Sequence, residues 1–423
     1  MFDIAVVCLV LTALLAYCSH RFLRLPTTIG VMAIAMVLSL VLIGLDKLGI
    51  SGLHDYEVAL LSSIDFSQLL MQGMLSVLLF AGALQVDLGH LRDFRWQVTT
   101  LAVAGTAVST AVVGLGLWAL VPWLGIELPL AYCLVFGALI SPTDPISVIG
   151  ILKSAGAPRS IETVIVGESL FNDGLGVVLF TLLLGIAAAN GTPSLGGAAL
   201  LLAREAGGGI AFGLVLGYLT FRMLKSIDSY QEEVLLTLAA VLGGYALASR
   251  LHVSGPLAMV VVGLIVGNHG RASAMSDKTQ LHVDMFWELL DSVLNAVLFV
   301  LVGLEVVLVP LSRGLAWAAV AAVCVTLAAR FLSVGLPVLL WQRGFALPAG
   351  AWRVLTWGGL RGGISVALAL SLPAGAERET ILALTYCVVV FSVFVQGLSV
   401  GKVSRRLGGP SPVKGSANSV DGR

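Results

Sequence analysis

The stretch GESLFNDGLG, Gly167 to Gly176, places two acids inside a run that is otherwise apolar for most of residues 161–189. These acids are Glu168 and Asp173. An ionisable group at bilayer depth costs at least ~2.5–3.5 kcal/mol on insertion scales, so such groups mark functional sites by default and need partners. The stretch therefore predicts a membrane helix that carries a functional site.

The composition around this stretch is that of a polytopic helical membrane protein. Of the 423 residues, 58% are hydrophobic and 11% are charged, against about 25% charged in soluble domains. Mean hydropathy is +1.00. The N-terminus, MFDIAVV, lacks a basic region, so we expect no cleaved signal peptide. The sequence contains no phosphate-binding loop, dinucleotide motif or CxxC pair, so neither cofactor nor nucleotide nor nucleic acid is expected.

Apolar runs predict an all-α fold with about thirteen transmembrane helices. They lie at about 2–18, 27–45, 66–86, 97–121, 129–152, 161–189, 198–221, 233–249, 255–268, 286–309, 315–341, 350–372 and 380–401. Seventeen Lys and Arg residues fall on one side, counting the tail, and five on the other. The positive-inside rule then places the N-terminus outside and the C-terminus in the cytoplasm. Residues 1–401 form the membrane domain, and residues 402–423 are expected to be a short disordered cytoplasmic tail.

The fifth span is broken by SPTDP, Ser141 to Pro145. Two prolines remove two backbone donors, and such a break is tolerated at bilayer depth only where it is buried in protein or lines a cavity. Freed carbonyls and the Thr143 hydroxyl are suitable ligands for a small alkali cation. Asp144 is placed to neutralise a positive half-helix end. A proline kink with a capping aspartate is the structural alternative.

A second anomaly lies in span 12, where WGGLRGGISVALAL, Trp357 to Leu370, sets four glycines around Arg361. Broken helices of transporters occur in corresponding positions of inverted repeats. Span 12 lies seven spans after span 5, and an odd offset means that the two spans cross the membrane in opposite directions. We therefore expect two inverted six-helix repeats, spans 1–6 and 8–13, with broken helices 5 and 12. Close helix packing is the alternative role of the glycines.

Helical spacing in span 6 separates two polar faces. Ser169 and Asp173 share one face, and Glu168 and Asn172 share the neighbouring one. Arg361 stays charged and needs a carboxylate, for which Glu168 is the expected partner. Asp173 is then left to hold a proton or a cation, but not both.

In this scheme Na+ would bind at Asp173, Ser169 and Thr143, with water completing its shell. Arg330 in span 11 has no partner evident in the sequence, and a helix-lining or subunit-contact role is open. Glu305, near the outer end of span 10, is expected to be a solvated end charge.

These motifs together resemble the monovalent cation:proton antiporter family, in the branch of bacterial sodium/proton antiporters and eukaryotic exchangers. LLFAGALQVDLGHLR, Leu78 to Arg92, and VGLEV, Val302 to Val306, resemble further signatures of it. The resemblance implies a thirteen-helix fold with crossed helices 5 and 12. It also implies a core domain around spans 4–6 and 11–13, a dimerisation domain from the rest, homodimers and elevator-like alternating access.

The resemblance also implies residue roles. Asp173 corresponds to the carboxylate that binds cation and proton, Thr143 and Ser169 to cation ligands, and Asp144 to the crossing. Glu168 and Arg361 correspond to a core ion pair, with Asn172 held beside them. The Asn-Asp order is similar to that of electroneutral members. The chain departs from the pattern at Ala81, where many bacterial relatives carry glutamate.

Several functions remain open at the level of sequence. The main expectation is exchange of Na+, or also Li+, for H+ with 1:1 stoichiometry, in a chain that is not an enzyme. K+/H+ antiport on the same fold is the first alternative. Asp144 and Asp173 on adjacent spans allow an intramembrane aspartyl protease as a remote alternative, although the TDP and NDG motifs differ from those of such proteases. The remaining alternatives are a channel or a uniporter of some other solute, and electrogenic exchange with more than one proton.

Overall fold

A computed structural model describes residues 2–23, 25–48, 73–188, 195–271, 274–304 and 313–405. The regular structure of these residues is helical throughout. We label the helices that match the predicted spans α1 Phe2–Cys18, α2 Thr27–Lys47, α3 Leu75–Leu84, α4 Arg95–Leu124, α5a Leu130–Ile140, α5b Ile146–Ser154, α6 Arg159–Ala188, α7 Leu200–Leu224, α8 Tyr230–Arg250, α9 Gly255–Gly270, α10 Asp277–Leu304, α11 Gly314–Leu340, α12a Ala351–Trp357, α12b Gly363–Leu370 and α13 Ala376–Arg405.

The distribution of polar and apolar side chains fits a protein that lies in lipid. Within the described ranges, nine helices are long and apolar enough to cross a membrane. Large apolar side chains face outward, such as Leu200 at 71% and Trp317 at 67% exposed, while Glu168 and Arg361 are buried. The all-helical, multi-pass membrane fold is thus confirmed. The count of thirteen crossings and the inverted repeats stay predictions.

Three predicted boundaries differ from the structure or leave its range. Helix α10 begins at Asp277 rather than at 286. The first turns of this helix are polar, so the apolar run in the sequence did not include them. In these turns Asp284 pairs with Arg271 at 2.5 Å. Helix α13 continues to Arg405, so residues 402–405 of the predicted disordered tail are helical. The first residues predicted for span 3, Glu305, and residues 406–423 lie outside the described residues.

Both predicted helix breaks are present. Helix α5a ends at Ile140 and α5b begins at Ile146, so the break coincides with SPTDP. Helix α12a ends at Trp357 and α12b begins at Gly363, with Arg361 in the break. Proline in the first case and glycine in the second make helical continuation unfavourable, as expected from their backbone chemistry.

The helices pack in two groups. In one, α4, α5a and α6 pack together, α11 packs on α4 and α13, and α12b packs on α13 and α5a. In the other, α9 packs on α3, α7 and α8, and α10 packs on α2 and α3; α6 and α9 touch across the groups. Helices α4 and α5a approach closely, since a Cβ on Gly137 would lie 2.3 Å from the Thr110 carbonyl oxygen. The first group contains the helices predicted to form a core domain, and that division stays a prediction.

Candidate functional site

The two helix breaks meet and are joined through the backbone. The Asp144 N–H donates a hydrogen bond of 2.8 Å to the carbonyl of Leu360. One non-helical donor is thereby satisfied by one non-helical acceptor, as buried backbone groups require. The prolines of one break and the glycines of the other therefore lie at the same place in the fold.

Arg361 binds the buried carbonyl groups at the C-terminal end of α5a. Its Nη1 donates to the carbonyl of Pro142 at 3.0 Å and also to that of Ser141. Its backbone N–H donates to the Ser392 hydroxyl at 2.8 Å. The last carbonyls of a helix carry partial negative charge, so a buried guanidinium is stabilised there. Arg361 is 2% exposed and satisfies the carbonyls that the SPTDP break leaves without helical partners.

Glu168 pairs with Arg330, which corrects the predicted pairing with Arg361. Arg330 Nη2 donates to Glu168 Oε2 at 2.8 Å, and Nη1 donates to Oε1, so the contact is bidentate. The two residues are 5% and 1% exposed. Arg330 therefore has a buried structural partner, in place of the helix-lining or subunit-contact role left open by the sequence.

The geometry explains why Arg330 takes the carboxylate. Its Nε and Nη2 also donate to the Leu355 carbonyl, at 3.2 and 3.0 Å, in the last turns of α12a. Gly359 provides the space, because a Cβ there would lie 2.3 Å from Arg330 Nε. The planar fork of arginine fits a carboxylate and a carbonyl at once. A signal was present in the sequence: two intramembrane arginines need two sets of acceptors, and the broken span 5 offers one of them.

Asn172 holds the helix break rather than the ion pair. Its Nδ2 donates to Thr143 Oγ1 at 2.9 Å, and the Thr143 N–H donates to Asn172 Oδ1 at 3.3 Å. Thr143 Oγ1 and Ser169 Oγ share a further hydrogen bond of 2.8 Å. Asn172 follows Glu168 by one helical turn, but within the described residues its amide makes no hydrogen bond to that carboxylate or to Arg330. Its amide instead fixes Thr143 relative to α6.

Asp173 lies at a small cavity between the breaks. It is 6% exposed, and its Oδ1 is buried with no hydrogen-bond partner among the residues that the structure describes. The cavity, of about 80 Å³, is also lined by Thr143, Asp144, Asn295 and Ser365. An unpaired buried carboxylate oxygen is costly unless it binds a proton or a cation. Asp173 therefore has the environment of an ion-binding group.

Ser169 and Asp144 occupy different positions around Asp173. Ser169 is not among the cavity-lining residues and lies behind Thr143, to which it is hydrogen-bonded. Asp144 lines the cavity and touches Gly362, the residue before α12b, where a Cβ would lie 3.1 Å from Asp144 Oδ2. Its carboxylate is thus placed against the positive N-terminal end of α12b.

The span 3 signature has a structural role at its polar end. Asp87 caps the short helix Leu88–Asp93 by accepting from the Gly89 N–H at 2.7 Å. The hydrogen bond from His90, with that from Gly89, lowers the pKa of the Asp87 carboxyl. Ala81, earlier in the signature, is fully buried in the hydrophobic core.

Two discontinuous helices whose breaks meet at a cavity with a buried carboxylate are typical of a class of secondary transporter, in which half-helix ends surround the ion site. Comparisons with known proteins agree. The family model described as "Sodium/hydrogen exchanger, transmembrane" matches residues 10–406. The chain therefore belongs to the sodium/hydrogen exchanger family.

Individual relatives extend this finding over the whole chain. The Na+/H+ antiporter NhaP of Pseudomonas aeruginosa is 53% identical over 421 residues, covering 98% of this chain and 99% of the relative. The Na+/H+ antiporter NhaH of Halobacillus dabanensis is 37% identical, covering 91% and 96%. The solved sodium proton antiporter MjNhaP1 from Methanocaldococcus jannaschii has a TM-score of 0.67 at 20% identity, covering 90% of this chain and 98% of that one, which supports the fold.

Proposed function

We propose that this chain is a secondary active transporter that exchanges Na+, and also Li+, for H+ across the membrane. Asp173 binds the cation and the proton in competition, and Thr143 contributes an oxygen ligand. The observation that carries this function is the buried Asp173 Oδ1, without a protein partner in the described residues, at a cavity between the two helix breaks. The two relatives compared above are named Na+/H+ antiporters.

The charges around the cavity support competitive binding at one carboxylate. Glu168 is neutralised by Arg330, and Asp144 faces the positive end of α12b. Arg361 is held on the carbonyls of α5a. Desolvation makes a bare carboxylate unfavourable at Asp173, so it carries either a proton or a cation. One exchangeable carboxylate gives one cation for one proton, which is electroneutral exchange.

The proposed setting is the cytoplasmic (inner) membrane, with the N-terminus outside and the C-terminus in the cytoplasm. The Lys and Arg asymmetry of the connections supports this orientation. The chain works as a homodimer in which the group around α4–α6 and α11–α13 moves against the remaining helices, giving alternating access. In the cell such exchange serves sodium transport and pH homeostasis. The protease and channel alternatives are not favoured by the family membership.

The test is proton movement in proteoliposomes that contain a quenched pH-sensitive dye. Addition of Na+ or Li+ should cause saturable dequenching with the wild-type protein. Asp173→Asn should abolish it, while Asp277→Asn, at an exposed position in the first turn of α10, should not. Near wild-type exchange by Asp173→Asn would reject the proposal. A larger response to K+ than to Na+ would favour the K+/H+ alternative.

A further inference from the structure

Two polar side chains from outside α5 and α6 line the cavity. Asn295 belongs to α10 and Ser365 to α12b, and they are 6% and 1% exposed. Leu298 and Phe299, which neighbour Asn295 in the lining, are apolar. Buried polar groups are normally hydrogen-bonded, so the partners of these two side chains indicate what the cavity holds.

The Ser365 hydroxyl has no partner in the part of the chain that the structure describes. Its Oγ is buried and makes no hydrogen bond to any residue that the structure describes. Helical serines commonly donate to a carbonyl in the preceding turn. Ser371, just after α12b, does so through a bond of 2.7 Å to the Leu368 carbonyl. Ser365 lies in the first turn of α12b, where the residues three and four positions before it, Gly362 and Arg361, belong to the break rather than to a helical turn. Its oxygen makes no such bond within the described residues and is left for a ligand in the cavity.

The orientation of the Asn295 amide is fixed by Asp291. Asn295 Nδ2 donates to the Asp291 carbonyl at 3.0 Å and to Asp291 Oδ1 at 3.1 Å. Both of these atoms accept hydrogen bonds, so the amide nitrogen must be on that side. The amide oxygen is consequently turned away from Asp291, which is itself 7% exposed. Asn295 lines the cavity, so its free oxygen is available there.

We propose that Asn295 Oδ1 and Ser365 Oγ are further ligands of the transported cation, completing with Asp173 and Thr143 a shell drawn from three helices and the SPTDP break. This inference rests on the proposed function. Carbonyl-type and hydroxyl oxygens are hard ligands that suit an alkali cation, and both are neutral. They replace water around the cation without adding charge, so one bound cation still neutralises Asp173. Asp291 acts as the positioning residue of Asn295.

The experiment measures the apparent KM for Na+ in the dye-loaded proteoliposomes. Ser365→Ala and Asn295→Ala should each raise it about tenfold, equivalent to about 1.4 kcal/mol, with the maximal rate at saturating Na+ retained. Ser365→Cys keeps the volume but replaces a hard oxygen by a soft sulfur, so it should show the same rise. Ser371→Ala, at the residue that follows the same helix and is bonded to a carbonyl, is the control and should behave as wild type.

A second readout separates binding from transport. Na+ should raise the melting temperature of the detergent-solubilised wild type, because a ligand stabilises the state that binds it. The increase should be smaller in Ser365→Cys and in Asn295→Ala. Unchanged KM and unchanged Na+ stabilisation in both variants, with a wild type that exchanges normally, would overturn the inference alone. A wild type that shows no cation-dependent proton movement would instead overturn the proposed function with it.

Discussion

Replacing Arg330 with leucine should destabilise the protein strongly. The salt bridge to Glu168 is buried, with side chains 6% and 2% exposed. Removing one member of such a pair leaves a buried charge uncompensated, which costs about 3–5 kcal/mol. Arg330→Leu also leaves the Leu355 carbonyl without two donors. We therefore expect Arg330→Leu to be more destabilising than Glu168→Gln, which leaves those bonds in place.

A double-mutant cycle gives the decisive measurement. The melting temperature of detergent-solubilised protein is compared at one heating rate for Glu168→Leu, Arg330→Leu and the double variant. Because the double variant contains no unpaired charge, it should recover much of the loss, a strongly non-additive result. Arg361→Leu combined with Glu168→Leu should be closer to additive, since Arg361 donates to the Ser141 and Pro142 carbonyls.

A substitution that changes no charge tests the same contact. Gly359→Ala would place a methyl group 2.3 Å from Arg330 Nε and displace the guanidinium. Like Arg330→Leu, it should lower the melting temperature of the detergent-solubilised protein. Gly185→Ala in α6, where nothing lies within 4 Å of the added Cβ, is the control. If Glu168 coupled to Arg361 rather than to Arg330 in the cycle, the pairing described above would be refuted.

Three further outcomes are expected in proteoliposomes. Lowering the pH should raise the apparent KM for Na+ by up to roughly tenfold per unit, because protons compete for Asp173 and the cation needs the deprotonated form; inhibition that saturating Na+ does not relieve would point to a separate pH sensor. An imposed membrane potential should leave wild-type exchange nearly unchanged but alter its rate in Asn172→Asp, which adds a second acid; a wild type that responds to the potential would contradict 1:1 exchange. Gly362→Ala, whose Cβ would lie 2.8 Å from Asp144 Cβ, should impair both exchange and thermal stability, whereas Gly150→Ala in open space should not, and equal effects of the two would argue against a tight crossing.

The sequence predicted the membrane fold and the breaks because both are properties of the local chain. Long apolar runs have one stable form in lipid, a helix. Proline and glycine interrupt that helix wherever they cluster, so SPTDP and the glycines around Arg361 marked both breaks. Asp173 was equally visible, because an acid in an apolar helix is expensive.

The pairing of charges could not be predicted in the same way. The sequence shows that Glu168, Arg330 and Arg361 are all intramembrane, but a long arginine side chain can reach several partners. The outcome depended on Gly359, which opens a path for Arg330, and on the α5a carbonyls, which bind Arg361. Both are properties of the packed structure.

Asn295 and Ser365 illustrate a second limit. A single Asn or Ser in an apolar helix is common, and its spacing carries no distinctive pattern. Only the cavity and the absence of a protein partner for the Ser365 hydroxyl, within the described residues, distinguish these two side chains from ordinary polar residues in a helix.

The charges at the crossing also bear on why such a carrier does not leak. Glu168 and Arg330 form a salt bridge, and Asp144 and Arg361 add one charge of each sign beside the breaks, so these four side chains sum to zero. Asp173 is then the one unbalanced charge of this group, and it is neutral only when loaded with a proton or a monovalent cation. An empty carrier would have to take a bare carboxylate through hydrocarbon, at a cost of several kcal/mol. We therefore expect the unloaded protein to stay on one side, so that each sodium ion that leaves obliges a proton to return.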